Sequence, residues 1–172
     1  MPQTPGLIDV VTTALLWFAA IGGGAMAGAY FAFSGFIMAA LRRAGPAVGI
    51  AAMNSINVVI LRSLFMPLFW GTTLASAALA VIALSGWNAI AAKAMFAGGA
   101  VYVLGMFVCT IVFNVPLNNA LQAVEAGSDA ALPVWQRYLT QWTRWNHLRT
   151  IACAAACALF IHALVEAGAG VA

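Results

Sequence analysis

The chain has 172 residues, of which 65% are hydrophobic and 6% charged, with a formal net charge of +3. A soluble domain carries roughly 25% charged residues, so this composition excludes a water-covered globule and makes lipid the main solvent. The small positive balance does not argue for nucleic acid, because Lys and Arg near helix ends set membrane topology.

Charges divide the chain into segments. The stretch before the first apolar run has no Lys or Arg and carries Asp9. The run that follows is too long for the 7–15-residue core of a secretory signal, so it reads as a retained span. Gaps free of charge lie between Asp9 and Arg42, Arg62 and Lys93, and Lys93 and Glu125. Each exceeds the roughly 20 residues a helix needs to cross hydrocarbon. The fourth gap, from Arg149 to Glu166, suffices only if its helix starts near Trp145. These gaps predict spans over about Val11–Ala40, Ser63–Leu84, Lys93–Val115 and Trp145–Val165. The runs are apolar on every side and lack the alternation of a β-barrel, so they read as helices. The fold expected is all-α: one transmembrane domain over residues 1–172, built as a four-helix bundle.

Residues 46–62 read as a helical approach to the second span. Pro133 can open a short interfacial helix between the third and fourth spans, over about residues 133–144. Along it, Trp135, Tyr138, Trp142 and Trp145 recur at near-helical spacing, as expected of aromatics at headgroup depth. Gly24 and Gly28 form a GxxxG on the first span, and Gly71, Ala75, Ala152 and Ala156 add small residues elsewhere. Such residues let helices approach closely; they leave open a homo-oligomer. Cys109, Cys153 and Cys157 lie in apolar runs and read as packing residues, not as a disulfide framework.

Arg42, Arg43, Arg62, Arg137, Arg144 and Arg149 flank the first-to-second and third-to-fourth connections, and only Lys93 falls at the other end. The positive-inside rule then expects both connections in the cytoplasm and both termini outside, in an integral membrane protein of a bacterial inner membrane.

Polar side chains gather at that arginine-rich end: Tyr30 and Ser34; Asn54, Asn57 and Arg62; Asn114, Asn118 and Asn119; Arg144, Asn146, His147 and Arg149. The opposite end offers little beyond Trp87 and His162. Arg and Asn are costly at membrane depth unless paired, so such a group marks a site. Asn114 and Asn118 share a helix face at a spacing of four, and Arg144 and His147 at three. Pro67 and Pro116 remove the helical donors to Ser63 and Val112, two further acceptors in the same region. His147 is the only histidine there and could act as a general base. The arginines and amides could stabilise an oxyanion. An aromatic substrate could enter from lipid between Tyr30 and the Trp-rich segment. No carboxylate lies within a span, which disfavours a proton-coupled transporter. His147 and His162, fifteen residues apart or roughly 22 Å on a helix, cannot pair across a haem. Cys153 and Cys157 lack a third soft ligand, so no metal is assigned, with single-histidine haem and copper left open.

Three segments, Ala52-Met53-Asn54-Ser55-Ile56-Asn57, Phe113-Asn114-Val115-Pro116-Leu117-Asn118 and Trp142-Thr143-Arg144-Trp145-Asn146-His147-Leu148-Arg149, with the glycine-rich first span, resemble the anthrone oxygenase-like family of small four-helix membrane proteins. Much of that family is classed only as a domain of unknown function. The resemblance implies an oxidoreductase that converts an anthrone to an anthraquinone with molecular oxygen and no added flavin or haem. It carries over Asn57, Asn114, Asn118, Trp142, Asn146, His147 and Arg149. A glutamine is common where Asn54 stands. The expected chemistry has His147 remove a proton while Arg149, Arg144, Asn114 and Asn118 hold the oxyanion. Tyr30, Ser34, Asn57, Arg62, Asn118, Trp142 and Asn146 are expected to bind a lipophilic phenolic substrate. The rival reading is a non-catalytic membrane module for a quinone-like lipid or a partner protein.

Overall fold

The computed structural model describes residues 6–86 and 89–169, and Trp87 lies outside them. It is helical throughout, with no strand among the described residues. Five helices follow in order: α1 Leu7–Arg43, α2 Pro46–Ile60, α3 Phe65–Gly86, α4 Ile90–Gln122 and α5 Ala131–Gly168. All but α2 are long and apolar enough to cross a membrane, and they form the four-helix integral membrane bundle that the charge gaps predict. In sequence α1, α3, α4 and α5 form a ring, with α5 packed on both α1 and α4.

The elements are longer than the charge gaps suggest. The separate short helix of the fold is α2, between the first and second spans. The segment after Pro133 is helical, but it runs into the last span without a break, so no independent helix lies between the third and fourth. The aromatic residues of that segment point inward and extend the core; Trp135, Tyr138 and Trp142 are buried. The break between α1 and α2 falls at Gly45, whose φ of 90° suits a residue without a Cβ. Pro46 then opens α2 at a position where its missing N–H costs nothing. Pro67 lies in the first turn of α3, and Ser63 O accepts from the Met66 N–H at 3.2 Å, so that acceptor is not left free.

Two cores stack along the bundle. One, lined by Leu16, Met26, Leu79, Met106, Cys153 and Phe160, fills the space between the four spans. The other, with Met38, Ile50, Met53, Leu121, Trp135 and Tyr138, lies where α2 covers the ends of α4 and α5. On α1 a Cβ at Gly22 would strike the Thr72 hydroxyl, whereas one at Gly23 would make ordinary contact with Cys153 O at 3.5 Å. Gly24 and Gly28, the GxxxG pair, are exposed, and Gly28 has nothing within 4 Å.

Three spanning helices switch to π spacing near the junction of the cores: α1 over Phe33–Ile37, α4 over Val103–Val108 and Thr110–Asn114, and α5 over Tyr138–Trp142. A π turn inserts a residue into the ladder and redirects neighbouring side chains, and such turns recur at functional sites. Pro116, just after the second α4 turn, is compatible with this shift: Val115 N–H reaches back five residues to Thr110 O.

Candidate functional site

Between the two cores lies a hollow of about 380 Å³, within the size range of small-molecule sites. The inward face of α5 reads Trp142, Asn146, Arg149, Cys153, Ala156 and Phe160, at spacings of four and three. Two of these, Trp142 and Arg149, line the hollow; Tyr30 and Phe33 join them from α1, Met53 and Asn57 from α2, Phe65, Phe69 and Trp70 from α3, and Thr110 and Asn118 from α4.

Arg149 is the centre of the arrangement. It is only 5% exposed. Its Nη2 donates to Asn146 Oδ1 at 2.6 Å and its Nη1 to Thr110 Oγ1 at 3.3 Å. The guanidinium carbon stands 4.2 Å from the Tyr30 ring centroid and 5.2 Å from that of Trp142, within cation–π range. Among the described residues no carboxylate balances it. Among the described residues the one ion pair is His162–Glu166, 3.9 Å apart near the other end of α5. A buried charge without a counter-ion carries a desolvation penalty of several kcal/mol (order of magnitude), and a bound anion would offset it.

Asparagines hold the helices around that cation. Asn146, fully buried, donates through Nδ2 to Tyr30 O at 2.6 Å and to Ser34 Oγ. Both acceptors lie where α1 shifts from α to π spacing, and the Tyr30 carbonyl also accepts from the Phe33 N–H. Asn114 does the same between α4 and α5: its Nδ2 donates to Trp142 O, at the end of the α5 π turn, at 3.3 Å. Asn114, Asn146 and Ser34 thus brace the site from behind and do not line the hollow. Tyr30 hydroxyl donates to Met106 Sδ at 3.5 Å, and Tyr138 hydroxyl donates to Asn118 Oδ1 at 2.9 Å.

Two residues of the hollow each keep a buried N–H donor without a partner, Arg149 Nε and Trp142 Nε1. The remaining wall is aromatic: Phe65 stacks on Phe69 at 6.1 Å, and Phe107 backs both Phe69 and Trp70. The hollow therefore suits a flat apolar body, and the Arg149 cation on its wall favours one that carries an anionic oxygen.

The structure brings Tyr30, Asn57, Asn118, Trp142 and Arg149 together on the hollow. It leaves Arg62, Arg144 and His147 out. All three are exposed and none lines the hollow. Arg144 and His147 do share a face of α5, but it is the outer one, since Asn146 and Arg149 take the inner face. Arg62 sits in the turn after α2, and its neighbour Leu61 lines the hollow instead. Sequence reasoning missed the α3 wall. Phe65 and Phe69 are four apart, a usable signal, yet in an apolar span they look like lipid-facing residues. Thr110 and Tyr138, each a partner of a site residue, were also missed. Among the described residues no three His, Cys, Asp or Glu side chains come together as a metal cage.

Fold and site together define a class: a four-span membrane protein with an aromatic hollow closed by one uncompensated arginine. The anthrone oxygenase family matches residues 59–159. That is more than half of the chain, and the chain belongs to this family. The matched stretch includes Asn114, Asn118, Trp142, Asn146 and Arg149; Tyr30, Ser34 and Asn57 lie before it. Comparison with curated proteins and with solved structures found no match.

Proposed function

We propose that the protein is a membrane-embedded oxygenase for a flat lipophilic phenol of the anthrone type. The observation that carries this reading is Arg149, buried beside aromatic rings without a carboxylate and with Nε unpartnered. Such a cation favours the ionised form of a ligand whose oxygen it faces. An anthrone methylene loses a proton to give an enolate, with its negative charge on the ring oxygen. Arg149, the cation on the wall of the hollow, holds that oxygen. The carbanion form passes one electron to molecular oxygen, and the pair recombines as a carbon-bound hydroperoxide after protonation. Loss of water then breaks the O–O bond and the second C–H bond and leaves a carbonyl. One oxygen molecule is consumed per anthrone, with one atom in the quinone and one in water. The substrate is itself the reductant, so the sequence needs no added cofactor.

His147 lies outside the hollow, so it is not retained as the base. The first proton passes to water at the connection end of the hollow, where Asn119 and Gln122 are exposed. The arginine-rich end, which holds the hollow, faces the cytoplasm.

The test is oxygen uptake by protein purified into lipid nanodiscs, with 1,8-dihydroxyanthrone as substrate and the quinone quantified. The wild type should consume oxygen and form quinone in equal amounts. Arg149→Met should lose activity by about 100-fold or more, as expected for removal of a charge that meets a developing oxyanion. An absorption spectrum and metal analysis belong to the same preparation. A haem band or stoichiometric copper would overturn the cofactor-free chemistry. Tight binding of the quinone with no oxygen uptake above the uncatalysed rate would leave a ligand-binding module instead.

A further inference from the structure

We infer that the hollow loads sideways from the bilayer, through an apolar slot between α4 and the corner where α2 meets α3. This rests on reading the hollow as the site of a flat lipophilic phenol. Residues that line the hollow and also face outward define its mouth. On the α2–α3 side these are Val58, Leu61 and Trp70, which are 47%, 64% and 46% exposed. On α4 they are Ile111 and Val115, 49% and 36% exposed. None is charged. Ile111 and Val115 continue an outward row on α4 that begins with Leu104 and Val108, at spacings of four, three and four. An apolar row on the outside of a spanning helix is its lipid face, so the mouth opens on the lipid-facing surface.

The two other outward liners, Asn119 and Gln122, lie further along α4 at the connection end. There Asn54 Nδ2 donates to Leu121 O at 3.4 Å and ties α2 to α4. The slot thus runs from an apolar mouth to an amide-lined end, matching the polarity gradient from hydrocarbon to headgroups. The opposite side, between Tyr30 and the Trp-rich segment, is closed. Tyr30 is 4% exposed beneath Arg149, Phe33 meets Trp142 edge-on at 5.8 Å, and Asn146 bonds Ser34. A ligand dissolved among acyl chains reaches the slot without crossing water.

The experiment uses 1,8-dihydroxyanthraquinone, which cannot turn over as an anthrone does, and follows its quenching of tryptophan fluorescence by stopped flow in nanodiscs. Ile111→Trp and Val115→Trp narrow the slot. Each should slow association and dissociation together by about tenfold, with affinity kept within about threefold, because a gate changes both rates alike. Ile111→Ala, which cannot over-pack, should speed both rates and keeps the test decisive if the larger variants misfold. Unchanged rates in the variants that fold overturn the slot, as does slowing confined to Asn119→Trp, which would place access at the connection end. Wild type that binds no anthraquinone removes the ligand reading and the slot with it; binding with unaltered rates removes the slot alone.

Discussion

Toward the end of the bundle that carries Lys93, the spanning helices meet almost backbone to backbone. A Cβ at Gly99 would strike Ser76 O and stand 2.8 Å from Ala80 Cβ, and one at Gly98 would stand 2.8 Å from the Phe160 ring. Toward the arginine-rich end the same helices are held apart by Tyr30, Phe69, Trp142 and Arg149, and a hollow opens between them. Helix spacing in lipid follows the side chains at the contact, because lipid offers no hydrophobic drive for association. Small residues clamp one end, and that clamp lets the other end tolerate π turns, unpartnered donors and an unpaired cation. Stability and chemistry are thereby assigned to different lengths of the same helices.

Substitutions in each half sharpen that contrast. The largest effect is expected from Gly99→Leu, which forces side-chain atoms into the α3 backbone. Over-packing of this kind costs about 1–3 kcal/mol or more, and the expected readout is aggregated protein in size-exclusion chromatography. A well-folded Gly99→Leu protein would break the contrast from the clamp side. Arg149→Met should show the converse: ligand binding lost, thermal midpoint unchanged or raised, since replacing a buried unpaired charge with an apolar side chain removes a desolvation penalty. Asn146→Leu strips Arg149 Nη2 and the Tyr30 carbonyl of a partner and should weaken anthraquinone binding about tenfold, the cost of leaving a buried polar group unpaired. Trp142→Phe weakens the ring that faces the Arg149 guanidinium and should cost about fivefold, near 1 kcal/mol. His147→Ala comes last. Its side chain is exposed, and oxygen uptake within about twofold of wild type is expected, as for a surface substitution. A large loss there would restore the histidine to the chemistry.

Much of the site was legible because polar residues in apolar spans stand out. Asn57, Asn118, Trp142 and Arg149 belong to the hollow, while Asn114 and Asn146 belong to its supports. The misplacements share one cause. A spacing of three or four places two residues on a common helix face, as for Arg144 and His147, but it does not say which way that face turns. Asn146 and Arg149 settle the rotation of α5 by bonding Tyr30 O, Ser34 Oγ and Thr110 Oγ1 on two other helices. The α3 aromatics failed for the opposite reason: in a uniformly apolar span, residues facing lipid and residues facing a ligand have the same composition.

Sequence alone determined that the chain partitions into a bilayer as four helices with their polar groups at one end, because transfer from water to lipid and helical self-satisfaction of the backbone are local properties. The rotation of each helix, the π turns and the hollow they frame were decided only by tertiary structure. They depend on contacts such as Asn146 with Tyr30, 116 residues apart, whose energies exist only once the helices have met.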